Sequence, residues 1–150
     1  MRVADVMTPA VHTVGPEATL KEVAMLICRH HVSGVPVVDE AGRLAGIISE
    51  RDVLKALYPT YDELMDDPAR SRDFVDMESR YRDVARQPVA EVMARRVLTA
   101  APEMPVLQAA SLMLVNKVRR LPVVESGRLV GIVSLGDVHQ AIFEQHFGRD

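Results

Sequence analysis

The chain repeats itself, and that fact limits its fold more than any other. Shifted by 86 positions, Val3-Ala4-Asp5-Val6-Met7 falls on Val89-Ala90-Glu91-Val92-Met93, and Pro36-Val37-Val38-Asp39 falls on Pro122-Val123-Val124-Glu125. One residue drops out of a turn, and at offset 85 Gly42 to Val53 falls on Gly127 to Val138. Identity holds at 14 of 37 positions before the turn and 8 of 12 after it, a register that chance does not keep over fifty residues. The chain is therefore two copies of one unit, residues 1–57 and 88–150, joined by a connector at 58–87.

Both copies predict the same order of elements. A short strand, Val11 to Val14 or Val97 to Ala100, precedes Pro16 or Pro102. A helix follows. In copy one, Thr19-x-x-Glu22 is a capping box, and Leu20, Val23, Ala24 and Ile27 recur at helical spacing. In copy two, Pro105 suits the first turn, and Val106, Ala109, Ala110 and Met113 repeat that face. Next come a valine-rich buried strand from Gly34 or Arg120, a tight turn at Gly42 or Gly127 that calls for positive φ, and a second strand over Leu44–Ile48 or Leu129–Val133. A last helix starts at Ser49 or Ser134, and Pro59 stops the first of these. The expected class is α/β (α+β), with two β-α-β-β-α units. Each has too little core to be secure alone. The natural arrangement is a pseudo-twofold pair, with a ligand-sized cleft between like units.

The connector holds 8 acids and 5 bases, which is the whole net charge of −3. Phe74, Met77, Tyr81 and Val84 have helical spacing, so a surface helix over Asp73–Arg86 is expected, its mixed charges forming a solvated face. The overall acidity argues against a nucleic-acid binder. The longest apolar run, Val23 to Cys28, is far short of a membrane span, and the first residues lack the apolar stretch of a signal peptide. A cytoplasmic location is the default expectation. A single cysteine, Cys28, excludes an internal disulfide and a multi-cysteine zinc site. His30 and His31 are adjacent on a helix and point about 100° apart, which favours a helix-end role over metal binding. No catalytic triad, carboxylate pair or glycine-rich phosphate loop is evident, and no base is identifiable for Ser49, so no enzyme is expected.

The most informative element is strand–Ser-x-x-Asp–helix, present as Ser49-Glu50-Arg51-Asp52 and Ser134-Leu135-Gly136-Asp137. A helix N-terminus offers backbone N–H groups to a phosphate, the serine can add a donor, and an ionised aspartate one turn on can accept from both hydroxyls of a ribose. The same spacing is also a capping box, in which the acid reaches back to the chain. The two readings compete for the same carboxylate oxygens.

The doubled β-α-β-β-α pattern, with Gly34-Val35-Pro36-Val37-Val38-Asp39, the hairpin Gly42-Arg43-Leu44-Ala45-Gly46-Ile47-Ile48-Ser49 and the closing Ser-x-x-Asp, resembles the cystathionine-β-synthase (CBS) domain family. The pair looks like a Bateman module. The resemblance covers both repeats, about two thirds of the chain. It implies a non-enzymatic regulatory module that needs no cofactor and binds an adenine nucleotide (AMP, ADP or ATP, sometimes another adenosyl compound). Thr13 and Val14 would lie beside the base, and Gly34, Val35 and Pro36 would supply main-chain contacts and an apolar wall. Ser49, with Arg51 next to it, would face phosphate, and Asp52 the ribose. The second site would use Thr99, Ala100, Leu121, Pro122, Ser134 and Asp137, with Arg119 and Arg120 reaching a phosphate, Arg120 crowding the purine slot, or both forming a solvated basic turn. Replacement of Gly34 by Arg120 and of Arg51 by Gly136 implies two unequal sites, the Asp52 site being the better. Homodimerisation and an unidentified protein partner are further implications. The rival expectation is a structural association module without nucleotide.

Overall fold

The computed structural model describes residues 1–148, with Ser71 described by its main chain only. The chain is a mixed helix and strand fold with two small sheets, one in each repeat. It divides into two compact units that do not follow the repeat boundaries. The first unit holds His12–Asp39 and Ala45–Arg95; the second holds Met1–Val11, Glu40–Leu44 and the chain from Arg96 onward. The opening segment of each repeat thus belongs to the unit built around the other.

In the first unit, helix α2 spans Leu20–His30, following the short N-terminal helix α1 at Val3–Val6 of the second unit. The expected capping box is formed: Thr19 Oγ1 accepts from Glu22 N, and Thr19 N donates to Glu22 Oε2, both at 3.3 Å. Two more amides at this helix start, Leu20 N and Lys21 N, donate to Gln87 O and Ala85 O, so the end of the connector satisfies donors the helix leaves open. Strands β1 (Gly34–Val38) and β2 (Leu44–Ser49) make a two-stranded sheet, and helix α3 (Glu50–Lys55) leaves directly from β2. Leu20, Val23, Val35, Val37, Ile48 and Val53 fill the core, closed by Val84, Val89 and Met93. Val89 opens a 3₁₀ turn over Val89–Glu91. Beyond it, Ala94 and Ile47 exchange main-chain hydrogen bonds of 2.9 and 3.0 Å. Gly46 is required here, because a Cβ on it would lie 2.7 Å from both Ala94 O and Met93 Sδ.

The connector departs from the single helix expected. It forms α4 (Tyr61–Asp66), a 3₁₀ turn over Pro68–Arg72, α5 (Phe74–Ser79) and α6 (Tyr81–Val84). The break between α5 and α6 falls at Arg80. Met77 and Val84 are buried as their spacing suggests, but Phe74 is 64% exposed and Tyr81 38%. A straight helix would present all four on one stripe; here α5 buries Met77 but not Phe74, and α6 buries Val84 but leaves Tyr81 partly exposed.

The second unit repeats the plan. Helix α7 (Val106–Asn116) buries Val106, Ala109, Ala110 and Met113, the four positions read from the sequence. Pro105 caps this helix rather than entering its first turn. Strands β3 (Arg120–Glu125) and β4 (Arg128–Ser134) pair antiparallel from Arg120 opposite Ser134 to Glu125 opposite Arg128, and helix α8 (Leu135–Phe147) follows. Helix α1 docks by main chain, Val3 N to Met104 O and Ala4 N to Pro102 O, both 2.8 Å, with the Val3 side chain fully buried. Thr8 and Ile132 exchange two 2.9 Å bonds, and a Cβ on Gly131 would meet Met7 Sδ at 2.7 Å. Gly42 and Gly127 take φ of 78° and 79°, as the turns demand.

Two other expectations are corrected. The opening strand of each copy is a single parallel bridge, Val14 to Val37 and Ala100 to Val123. Pro16 and Pro102 follow within two residues and have no N–H to extend the ladder. Helix α3 ends at Lys55, with Ala56 as C-cap, so Pro59 does not stop it.

Candidate functional site

In the first unit the fold gathers most of the copy-one site residues around β1. Val14 N donates to Pro36 O at 3.2 Å, and Val38 N donates to Val14 O at 2.9 Å, which sets Thr13 and Val14 beside Gly34–Pro36. Across the hairpin, Glu50 N donates to Ser33 O at 3.0 Å and ties the start of β1 to the start of α3. A Cβ on Gly34 would lie 3.5 Å from Ile48 O and 3.9 Å from Ser49 Cβ. Thr13, Val14, Gly34, Ser49 and Asp52 are half-buried. Val35 and Pro36 are fully buried, with Val35 in the core and Pro36 O already accepting from Val14 N, so within this segment Gly34 is the residue with exposed surface.

The Ser-x-x-Asp element is a closed capping box. Ser49 N and Ser49 Oγ both donate to Asp52 Oδ2 at 2.9 Å, and Asp52 N donates to Ser49 Oγ at 3.2 Å. Copy two closes in the same way, Ser134 N to Asp137 Oδ2 at 2.9 Å and Asp137 N to Ser134 Oγ at 3.0 Å. This geometry already engages two of the first three main-chain amides of α3 and the Ser49 hydroxyl. The Glu50 amide is taken by Ser33 O, the Asp52 amide by the cap, and the hydroxyl proton of Ser49 by Asp52. Leu135 N to Arg119 O and Asp137 N to Ser134 Oγ repeat the pattern. Both caps work through Oδ2 and leave the other carboxylate oxygen, Oδ1, outside them.

Asp52 also lines a cavity of about 560 Å³ within the first unit. It shares that wall with Lys55 of α3 and with connector residues that sequence reasoning did not single out, among them Thr60, Arg80 and Gln87. Their charge and spacing match no motif, and only the fold carries the connector past Asp52. Arg51 does not line this cavity. It borders a separate hollow of about 490 Å³ with Glu50, Leu54, Lys55 and Tyr58, so the cations that line the Asp52 cavity are Lys55 and Arg80.

In the second unit Ala100 N donates to Pro122 O and Val124 N to Ala100 O, both at 2.9 Å, so Thr99 and Ala100 lie along β3 as their counterparts do along β1. Ala100, Leu121 and Pro122 are buried, while Arg119 and Arg120 are exposed. Elsewhere, the rings of His12 and His30 stack at 3.7 Å and Cys28 is exposed. Among the described residues no group of three His, Cys, Asp or Glu side chains could hold a metal ion, and no helix is long and apolar enough to cross a membrane.

The relationships of the chain agree with this architecture. The family model described as CBS domain matches it twice, at residues 3–59 and 89–144. It is 38% identical over 136 residues to the CBS domain-containing protein YhcV of Bacillus subtilis (strain 168), covering 91% of this chain and 81% of that protein. Its fold matches CBSX2, solved in complex with AMP, with a TM-score of 0.75 at 28% identity over 97% of this chain and 98% of the other. It also matches the CBS domain of a CBS domain containing membrane protein from Sphaerobacter thermophilus, with a TM-score of 0.71 at 34% identity over 93% and 86% of the two chains. Two repeats, two hairpin sheets and two Ser-x-x-Asp helix starts, matched by the family model over most of the length, mean that this chain belongs to the CBS-domain family and carries the domain twice.

Proposed function

We propose that the protein is a non-enzymatic regulatory module that binds an adenosyl nucleotide of the AMP, ADP or ATP class at the Asp52 site and signals its presence to a protein partner. The observation that carries this reading is the division of labour on one carboxylate: Asp52 caps α3 through Oδ2, keeps Oδ1 outside the cap, and borders a cavity of small-molecule size. A ribose diol is a fitting occupant for that oxygen, since two hydroxyls can donate to one carboxylate without dismantling the cap. The AMP complex of CBSX2, a relative of the same fold, supports the choice of ligand. Thr13, Val14 and Gly34, which lie along β1 outside the lining of that cavity, would flank the base. Asp137 would serve a second and weaker site, with Arg119, whose carbonyl accepts from Leu135 N, and Arg120, which pairs with Ser134 across the hairpin.

Asp52→Ala is expected to weaken AMP binding by about 2–4 kcal/mol, roughly 30- to 1,000-fold. Calorimetry with the full chain checks this, and an unchanged affinity overturns the assignment.

A second reading, association without nucleotide, draws on the closed state of both caps and on an apolar surface. Leu107, Leu114 and Val115 of α7 and Phe143 and Phe147 of α8 are all between 48% and 79% exposed. A self-associating chain would cover such a patch. Thermal unfolding against a panel of adenosyl compounds separates the readings. A ligand at 100 times its dissociation constant adds about 2.7 kcal/mol, and a flat panel favours association alone.

A further inference from the structure

The cavity beside Asp52 is built by copy one, the connector and the opening segment of copy two, which supplies Glu91 and Val92. Arg80 enters it from the break between α5 and α6, and its main chain is pinned on both sides. Its N–H donates to Asp76 O and Met77 O at 3.1 and 3.2 Å, and its carbonyl accepts from Asp83 N and Val84 N at 3.0 Å. The side chain is half-buried. The main chain is thereby fixed while the side chain reaches the cavity, and the planar fork of the guanidinium suits a phosphate or a carboxylate. Lys55, exposed on the same wall, adds a second cation one turn beyond Asp52. Two acids also line the cavity. Glu63 has its Oε2 in the Thr60 cap, and Glu91 is exposed. Their presence argues for one compact anionic group and against a triphosphate, which would set several charges against them.

We propose that Arg80, assisted by Lys55, is the anion-binding residue of the Asp52 site, holding the phosphate or carboxylate that an adenosyl ligand carries beyond its ribose. This rests on the reading of Asp52 as the ribose contact. It makes the connector, which lies outside the repeated sequence, the part of the chain that selects the ligand's tail.

Calorimetry of the full chain with adenosine, AMP and S-adenosylhomocysteine tests the proposal. Arg80→Gln is expected to weaken a charged ligand by about 10- to 100-fold while adenosine changes by less than about twofold, with Arg80→Lys recovering part of the loss. A loss confined to AMP identifies a phosphate, and one confined to S-adenosylhomocysteine a carboxylate. Equal losses for adenosine and the charged ligands, or none, overturn it. Lys55→Gln alters an exposed position and so keeps the question open to test should Arg80→Gln unfold; it is expected to weaken the charged ligand alone, by a smaller factor. A wild-type chain that binds none of the three compounds refutes the Asp52 reading itself, and the anion site with it.

Discussion

Ser49 and Asp52 show how one short motif can serve stability and binding at once. Three hydrogen bonds join the two residues in copy one, including one from hydroxyl to carboxylate. Ser49→Ala removes the hydroxyl from two of them. It is expected to cost about 1–2 kcal/mol in urea unfolding, near the upper end for a lost N-cap. A cost near zero would mean that the cap does not hold α3. The spacing Ser-x-x-Asp was legible in both copies, and so was its ambiguity, since a cap and a ribose contact require the same residues. What the sequence left hidden was the use of each oxygen. That depends on Glu50 N finding Ser33 O, a contact between residues seventeen positions apart that no local pattern encodes.

Elements with strong periodicity emerged as read: α2, α7 and both hairpins follow from apolar spacing, a capping box and two positive-φ glycines. Elements set by long-range packing did not. The connector breaks at Arg80, and each half buries one residue of the stripe, Met77 before the break and Val84 after it. The Val-Ala-Asp-Val-Met and Val-Ala-Glu-Val-Met segments, conspicuous as repeats, gave no sign that each would lie over a hairpin glycine of the other copy. That contact predicts a contrast within the hairpin. Gly46→Ala is expected to destabilise by about 1–3 kcal/mol, because its Cβ meets Ala94 O and Met93 Sδ at 2.7 Å. Gly34→Ala, at 3.5 Å from its nearest neighbour, is expected to be tolerated. Equal unfolding midpoints for the two variants would contradict the close approach.

For the whole molecule, the boundaries of the sequence repeats and of the compact units differ. A fragment cut at the repeat, residues 1–57, lacks Val84, Val89 and Met93 from its core and leaves α1 without Met104 O and Pro102 O. A fragment of residues 12–95 keeps every member of that core. The longer fragment is expected to unfold cooperatively on heating and the shorter one to give no transition, as followed by circular dichroism. A cooperative 1–57 fragment would show that the exchanged segments are dispensable. The exchange also sets an order in time. Synthesis runs from the N-terminus, so the first unit has all of its parts once residue 95 has left the ribosome. The opening eleven residues, made before any of it, must wait for strands encoded more than a hundred codons later. Residues 1–11 are thus made early and seated late.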